Sequence, residues 1–131
     1  MTVVVGYVPT PEGEAALTHA IRAAKERSAR LVVVNSSRGD ALVDERFALP
    51  EQLAELERRL DEVEVAHVVH QSLQGQDAAD ELLRAADEHR ADLIVIGVRR
   101  RSPLGKLIMG STAQRILLEA LCPVLAVKAA H

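Results

Sequence analysis

Gly110-Ser111 and the basic residues upstream of it concentrate this chain's capacity to hold an anion. Glycine lets a backbone approach a ligand closely. The first turn of a helix offers unpaired N–H groups with partial positive charge. If a helix starts at Ser111, its hydroxyl can also donate to a phosphate oxygen. Arg99, Arg100, Arg101 and Lys106 precede it with four positive charges and no balancing acid. Each feature has a plainer reading: Ser111 is a good N-cap without any ligand, Gly97 can simply end a strand, and a basic run is commonly a solvated loop.

Other arrangements lead nowhere. Gly105-Lys106 resembles the end of a phosphate-binding loop, but Leu107 stands where Ser or Thr is needed. His67 and His70 are three apart on an expected strand, so they face opposite sides and cannot chelate one ion. No G-x-S-x-G elbow is present. Arg38-Gly39-Asp40 reads as a polar turn, and Cys122 as a packing residue.

The elements that must position these residues are legible as alternating short apolar runs and longer amphipathic stretches. Val3 to Tyr7 is a continuous β-branched run, as expected of a strand covered on both faces. Thr10-Pro11-Glu12 marks a helix start, with Leu17, Ala20, Ile21 and Ala24 forming its stripe. Leu31 to Asn35 reads as a second strand, Ser36 to Phe47 as a surface connection, and Pro50 to Asp61 as a helix. Val63 to His70 reads as a third strand, Asp77 to His89 as a helix and Asp92 to Gly97 as a fourth strand. A helix opening on the capping-box pattern Ser111-Thr112-Ala113-Gln114 precedes a fifth strand, Pro123 to Lys128. The order βαβαβαβαβ predicts a parallel α/β sheet, doubly wound with right-handed crossovers and helices on both faces. Such sheets bind ligands beyond the carboxyl ends of their strands.

The totals agree with one globular domain over residues 1–131, with 48 % apolar and 27 % charged residues. One Phe, one Tyr and no Trp leave no aromatic platform for stacking bases. A net charge of −3 argues against nucleic-acid binding. No run approaches the length of a membrane span, the start lacks a signal-peptide layout, and a single cysteine permits no intrachain disulfide. A cytoplasmic, membrane-free setting is the expectation.

Gly97, a long loop and then Gly110-Ser111 resemble the G-x2-G-x9-G-[S/T] signature of ATP-binding universal stress proteins. Asp92 to Gly97 is similar to that family's fourth strand, and Cys122 to Lys128 to its closing strand, so the resemblance spans the chain. It implies a five-stranded Rossmann-like sheet of order 3-2-1-4-5 and a site for ATP or AMP, with or without Mg2+. The implied lining is Gly6, Tyr7, Val8, Pro9, Thr10, Ser36, Ile96, Gly97, Arg99, Arg100, Gly110, Ser111, Thr112 and Ala113. Two positions depart from the pattern: Arg100 replaces the second motif glycine, and Val8 stands where an aspartate is usual. The resemblance also implies a homodimer through the last strand, Val124, Leu125, Ala126 and Val127.

Three functions follow as alternatives. The expected one is a non-enzymatic stress-response regulator or sensor that binds adenine nucleotide. Val8 and Arg100 argue for a degenerate site on a dimeric interaction module. The third is a nucleotidyl or phosphoryl transferase on the same scaffold, for which the sequence offers no placed general base.

Overall fold

The computed structural model describes residues 1–35, 50–71, 77–98 and 110–129. Its elements, in chain order, are β1 (Thr2–Gly6), α1 (Pro11–Arg27), β2 (Arg30–Asn35), α2 (Pro50–Glu62) and β3 (His67–Gln71). Then come α3 (Ala78–Glu88), β4 (Leu93–Val98), α4 (Ser111–Glu119) and β5 (Val124–Lys128). The five strands form one parallel sheet in the order β3-β2-β1-β4-β5. The α/β class, the strand order and the helices on both faces are therefore as expected from the sequence.

The central strand explains its own composition. Val3, Val4 and Val5 are all fully buried, because successive side chains enter opposite layers and both layers are covered. Val3, Val5, Leu31 and Val33 pack with Leu17 and Ala20 of α1 and with Leu56 and Leu60 of α2. Val4, Val32, Ile94 and Ile96 pack with Leu82 of α3 and Ile116 of α4. Each fully buried Val, Leu or Ile contributes roughly 1.5–3 kcal/mol of burial.

Most element ends agree to within a residue, and α4 starts at Ser111 as expected; the start of the third strand and the cap of α4 differ from the sequence reading. The third strand begins at His67, not Val63, because α2 runs on to Glu62 and a turn follows with Glu64 at φ 58°. Val65, between that turn and β3, is buried, so its apolar character reflects packing, not strand pairing. At α4 the N-cap is Gly110, and no side chain among the described residues caps the helix. The carbonyl of Gly110 accepts from the Gln114 N–H at 3.1 Å, which makes Ser111 the first helical residue. The capping-box reading is thereby corrected: the Gly110 cap shifts the pattern one residue out of register. The expected connection from Ser36 to Phe47, the turn at Gln74-Gly75 and the basic loop lie outside the described residues.

Candidate functional site

Parallel pairing of β1 with β4, through Val3↔Leu93, Val4↔Ile94 and Val5↔Val95, brings their carboxyl ends side by side. Gly6 and Tyr7 therefore sit beside Ile96 and Gly97 on one rim. Helices α1, α3 and α4 follow β1, β3 and β4, so their N-terminal ends lie at this same end of the sheet.

The β1–α1 connection is held by its own atoms. The Val8 carbonyl accepts from the Thr10 N–H at 2.8 Å. Thr10, in an extended conformation, caps α1: its hydroxyl accepts from the Gly13 N–H at 3.2 Å, and its carbonyl accepts from the Glu14 N–H at 2.9 Å. Gly13 is required here, since a Cβ would collide with the Val8 carbonyl. Gly97 is required for a similar reason: a Cβ there would overlap the carbonyl oxygen of Glu12. Gly97 thus lets the start of α1 settle on the end of β4, a packing duty that stands whatever ligand the rim takes.

Tyr7 turns inward. Its ring is 4 % exposed and its hydroxyl donates to Glu14 at 2.9 Å, which also receives Arg59 of α2 at 3.0 Å. Burial first, then the hydrogen bond to Glu14, pushes the phenol up to about 12. Only its backbone belongs to the rim: the N–H donates to Val34, and the carbonyl accepts from the Asn35 side chain, both at 2.9 Å. Asn35 is fully buried and also accepts from Gln71 at 3.1 Å, so side-chain hydrogen bonds tie the ends of β1, β2 and β3. The sequence reading did not single out Asn35 or Gly13. A polar residue closing an apolar run, and a glycine in the first turn of a helix, were the available signals.

The start of α4 is different. Gly110, Ser111 and Thr112 are exposed, while Ala113 is half-buried against the α3 layer. No acid stands in the first turn. Gly110 has ordinary extended dihedrals, φ −72° and ψ 165°, and a Cβ on it would meet nothing within 4 Å among the described residues. Neither strain nor crowding explains this glycine. Among the described residues, the opening turn therefore combines N–H groups without a side-chain cap, room for close approach and a hydroxyl not engaged in capping.

One turn further, Arg115 reaches α3. Its guanidinium contacts Asp77 at 3.2 Å, Glu119 at 2.8 Å and also Asp80. Asp77 is itself the N-cap of α3, accepting from the N–H groups of Ala79 and Asp80 at 2.8 and 3.1 Å. Arg115 thereby offsets the acids nearest to α4.

Of the expected lining, Gly6, Tyr7, Val8, Pro9, Thr10, Ile96 and Gly97 are gathered at the ends of β1 and β4. Gly110, Ser111, Thr112 and Ala113 open α4 at the same end, whereas Ile96 is buried in the core. Ser36, Arg99 and Arg100 lie outside the described residues. Among the described residues, no three His, Cys, Asp or Glu side chains are grouped to hold a metal ion.

At the expected dimer strand, Val127 belongs to the core beneath α1, so its side chain is not available to a partner. Leu125 and Ala126 are exposed, and Val124 is half-buried.

The profile of the universal stress protein family matches residues 1–128. A universal stress protein of Mycolicibacterium smegmatis is 48 % identical over 126 residues, covering 96 % of each chain. The structure of a universal stress protein from Archaeoglobus fulgidus superposes with a TM-score of 0.80 at 31 % identity, covering 98 % of both chains. A structure from the same organism, in complex with dAMP, gives a TM-score of 0.65 at 26 % identity over the same share of both chains. This chain belongs to the universal stress protein family.

Proposed function

We propose that this protein binds an adenine nucleotide, ATP or AMP, at the rim between β1 and β4, and acts as a nucleotide-responsive regulator without turning it over. The observation that carries the reading is the start of α4, where among the described residues nothing crowds Gly110 and no side chain caps the N–H groups. A phosphate there would be held by the Ser111 and Thr112 amides and the Ser111 hydroxyl. Gly6, Val8, Pro9, Thr10 and Gly97 would flank the sugar, and Ser36 the base. That a related structure holds dAMP supports the same ligand class. Arg99 and Arg100 would add charge, with Arg100 pairing to phosphate where the family motif has a second glycine.

Val8 offers no carboxylate, so a magnesium ion would lack a ligand at the position where an aspartate is usual. The cytoplasmic setting belongs to this proposal; no described helix is long and apolar enough to cross a membrane.

Calorimetry on nucleotide-stripped protein tests the reading, with ATP, ADP and AMP titrated into wild type and Arg100→Gly. Saturable heat in the wild type is expected. Absence of heat and of competition at millimolar ligand in both proteins rejects a nucleotide site. Binding by Arg100→Gly alone would assign Arg100 as a plug and favour the interaction module.

A specific observation favours that second reading as well. Leu118 in α4 and Leu121 after it are 85 % and 96 % exposed, and Leu125 in the edge strand β5 is 41 % exposed. Apolar groups so placed suit a homodimer through β5. Light scattering at micromolar concentration should give twice the chain mass, and Leu125→Glu should halve it. A wild type already monomeric overturns the dimer.

A further inference from the structure

Helix α2 and the edge strand β3 meet at a histidine whose side chain is only 11 % exposed. Nδ1 of His67 lies 2.8 Å from the carbonyl oxygen of Val65. Nε2 lies 2.8 Å from a carboxylate oxygen of Glu57 and 3.7 Å from one of Asp61. Carbonyl and carboxylate oxygens can only accept. A neutral imidazole has one N–H and must turn a lone pair toward one of the two, whereas the imidazolium donates to both.

Among the described residues, the charged groups facing the ring are Glu57 and Asp61, both from α2. Strand β2 presents Leu31 at this register, and the turn before β3 presents only the Val65 carbonyl. Burial works against the charged ring, but the Val65 carbonyl, Glu57 and Asp61 together outweigh it and hold His67 above the ordinary 6.5.

We propose that His67 is a proton-operated latch: as the imidazolium it fastens α2 to β3 by donating to Glu57 and Val65 at once, and on losing its proton it gives up one of these bonds and holds α2 less tightly. The latch does not depend on which ligand the rim takes. Once it opens, α2 is held by the burial of Leu56 and Leu60 and by Arg59 on Glu14. Because Glu14 also receives the Tyr7 hydroxyl at the end of β1, the docking of α2 is connected to the rim.

The sign follows from linkage. A group titrating higher when docked than when free stabilises the docked state fully below about 6.5, and that stabilisation is lost as pH rises through the docked value. Each unit of separation is a tenfold change in the ratio of docked to released helix.

The test is an NMR titration of the His67 ring, paired with hydrogen exchange of the α2 amides from pH 5.5 to 9 and corrected for intrinsic exchange. Wild type, His67→Gln and the double variant Glu57→Gln/Asp61→Asn are compared. In the wild type the ring should titrate above 6.5, and α2 protection should fall tenfold per unit of that excess. In the double variant, which keeps the ring, the titration should drop to 6.5 or below and the protection should lose its pH dependence. His67→Gln should show no pH-dependent loss; if it does not fold, the double variant decides. A wild-type ring titrating at or below 6.5, or α2 protection no more pH-dependent than in the double variant, overturns the latch.

Discussion

Helices α1 and α4 start at the same end of the sheet, yet their first turns are built in opposite ways. Thr10 caps α1 with its own hydroxyl, Gly13 is pressed against the Val8 carbonyl, and Glu12 and Glu14 sit in the first turn. Helix α4 has a bare glycine cap, no acid in its first turn and, among the described residues, nothing within 4 Å of where a Cβ on that glycine would sit. Helix α3 follows the first pattern, with Asp77 as cap and Asp80 and Glu81 behind it. All three starts carry the same partial positive charge. Where the chain satisfies that charge with its own oxygens, less remains to attract an anion; of these three, the α4 start is the one that no described side chain satisfies.

The comparison breaks most severely at its glycines. Gly13→Ala should destabilise the protein by roughly 3 kcal/mol, because the overpacking penalty at the Val8 carbonyl exceeds the gain in helix propensity. Gly110→Ala should shift stability by under about 1 kcal/mol, since only capping preference changes. Urea unfolding measures both, and equal losses would show that the two starts are not built differently.

Gly110→Asp sharpens the contrast by giving α4 a cap of its own. Stability should rise by a few tenths of a kcal/mol, about the Gly-to-Asp capping gain. Nucleotide affinity should fall at least tenfold, roughly 1.4 kcal/mol, because a carboxylate now occupies the amides. Unchanged affinity in calorimetry would move the phosphate away from α4.

The smallest effects compare one cap with its absence. Asp77→Ala should cost about 1 kcal/mol, typical of a lost N-cap, while Ser111→Ala should leave the unfolding midpoint where it is because its hydroxyl caps nothing. A loss at Ser111 matching that at Asp77 would restore the capping box that the structure lacks.

Legibility in the sequence followed how local each cause is. The runs Val3–Tyr7, Leu31–Asn35 and Asp92–Gly97 were read as strands because burial on both faces writes itself as continuous β-branched sequence. The start of α1 was legible because Thr10, Pro11 and Glu12 act within one turn. Val63 and Val65 misled because a buried turn and a strand both demand apolar residues, and only the path of α2 separates them. Of the rim, the opening glycine and serine of α4 were visible as a motif. The inward turn of Tyr7 onto Glu14 and Arg59 was not, since those partners come from two different helices. His67 read as an isolated strand histidine for the same reason, because Glu57 and Asp61 face it only once α2 lies across β3.

By itself the sequence determined the alternation of strand and helix, the layering of the core and the run of residues able to meet an anion, because these arise from spacing along one chain. Only the tertiary structure decided that Gly97 serves packing while Gly110 stands open, that Ser111 caps nothing and that His67 faces two carboxylates. Each of these depends on which atoms arrive from elsewhere in the fold, and a hydrogen bond or a collision acts only over a few ångströms.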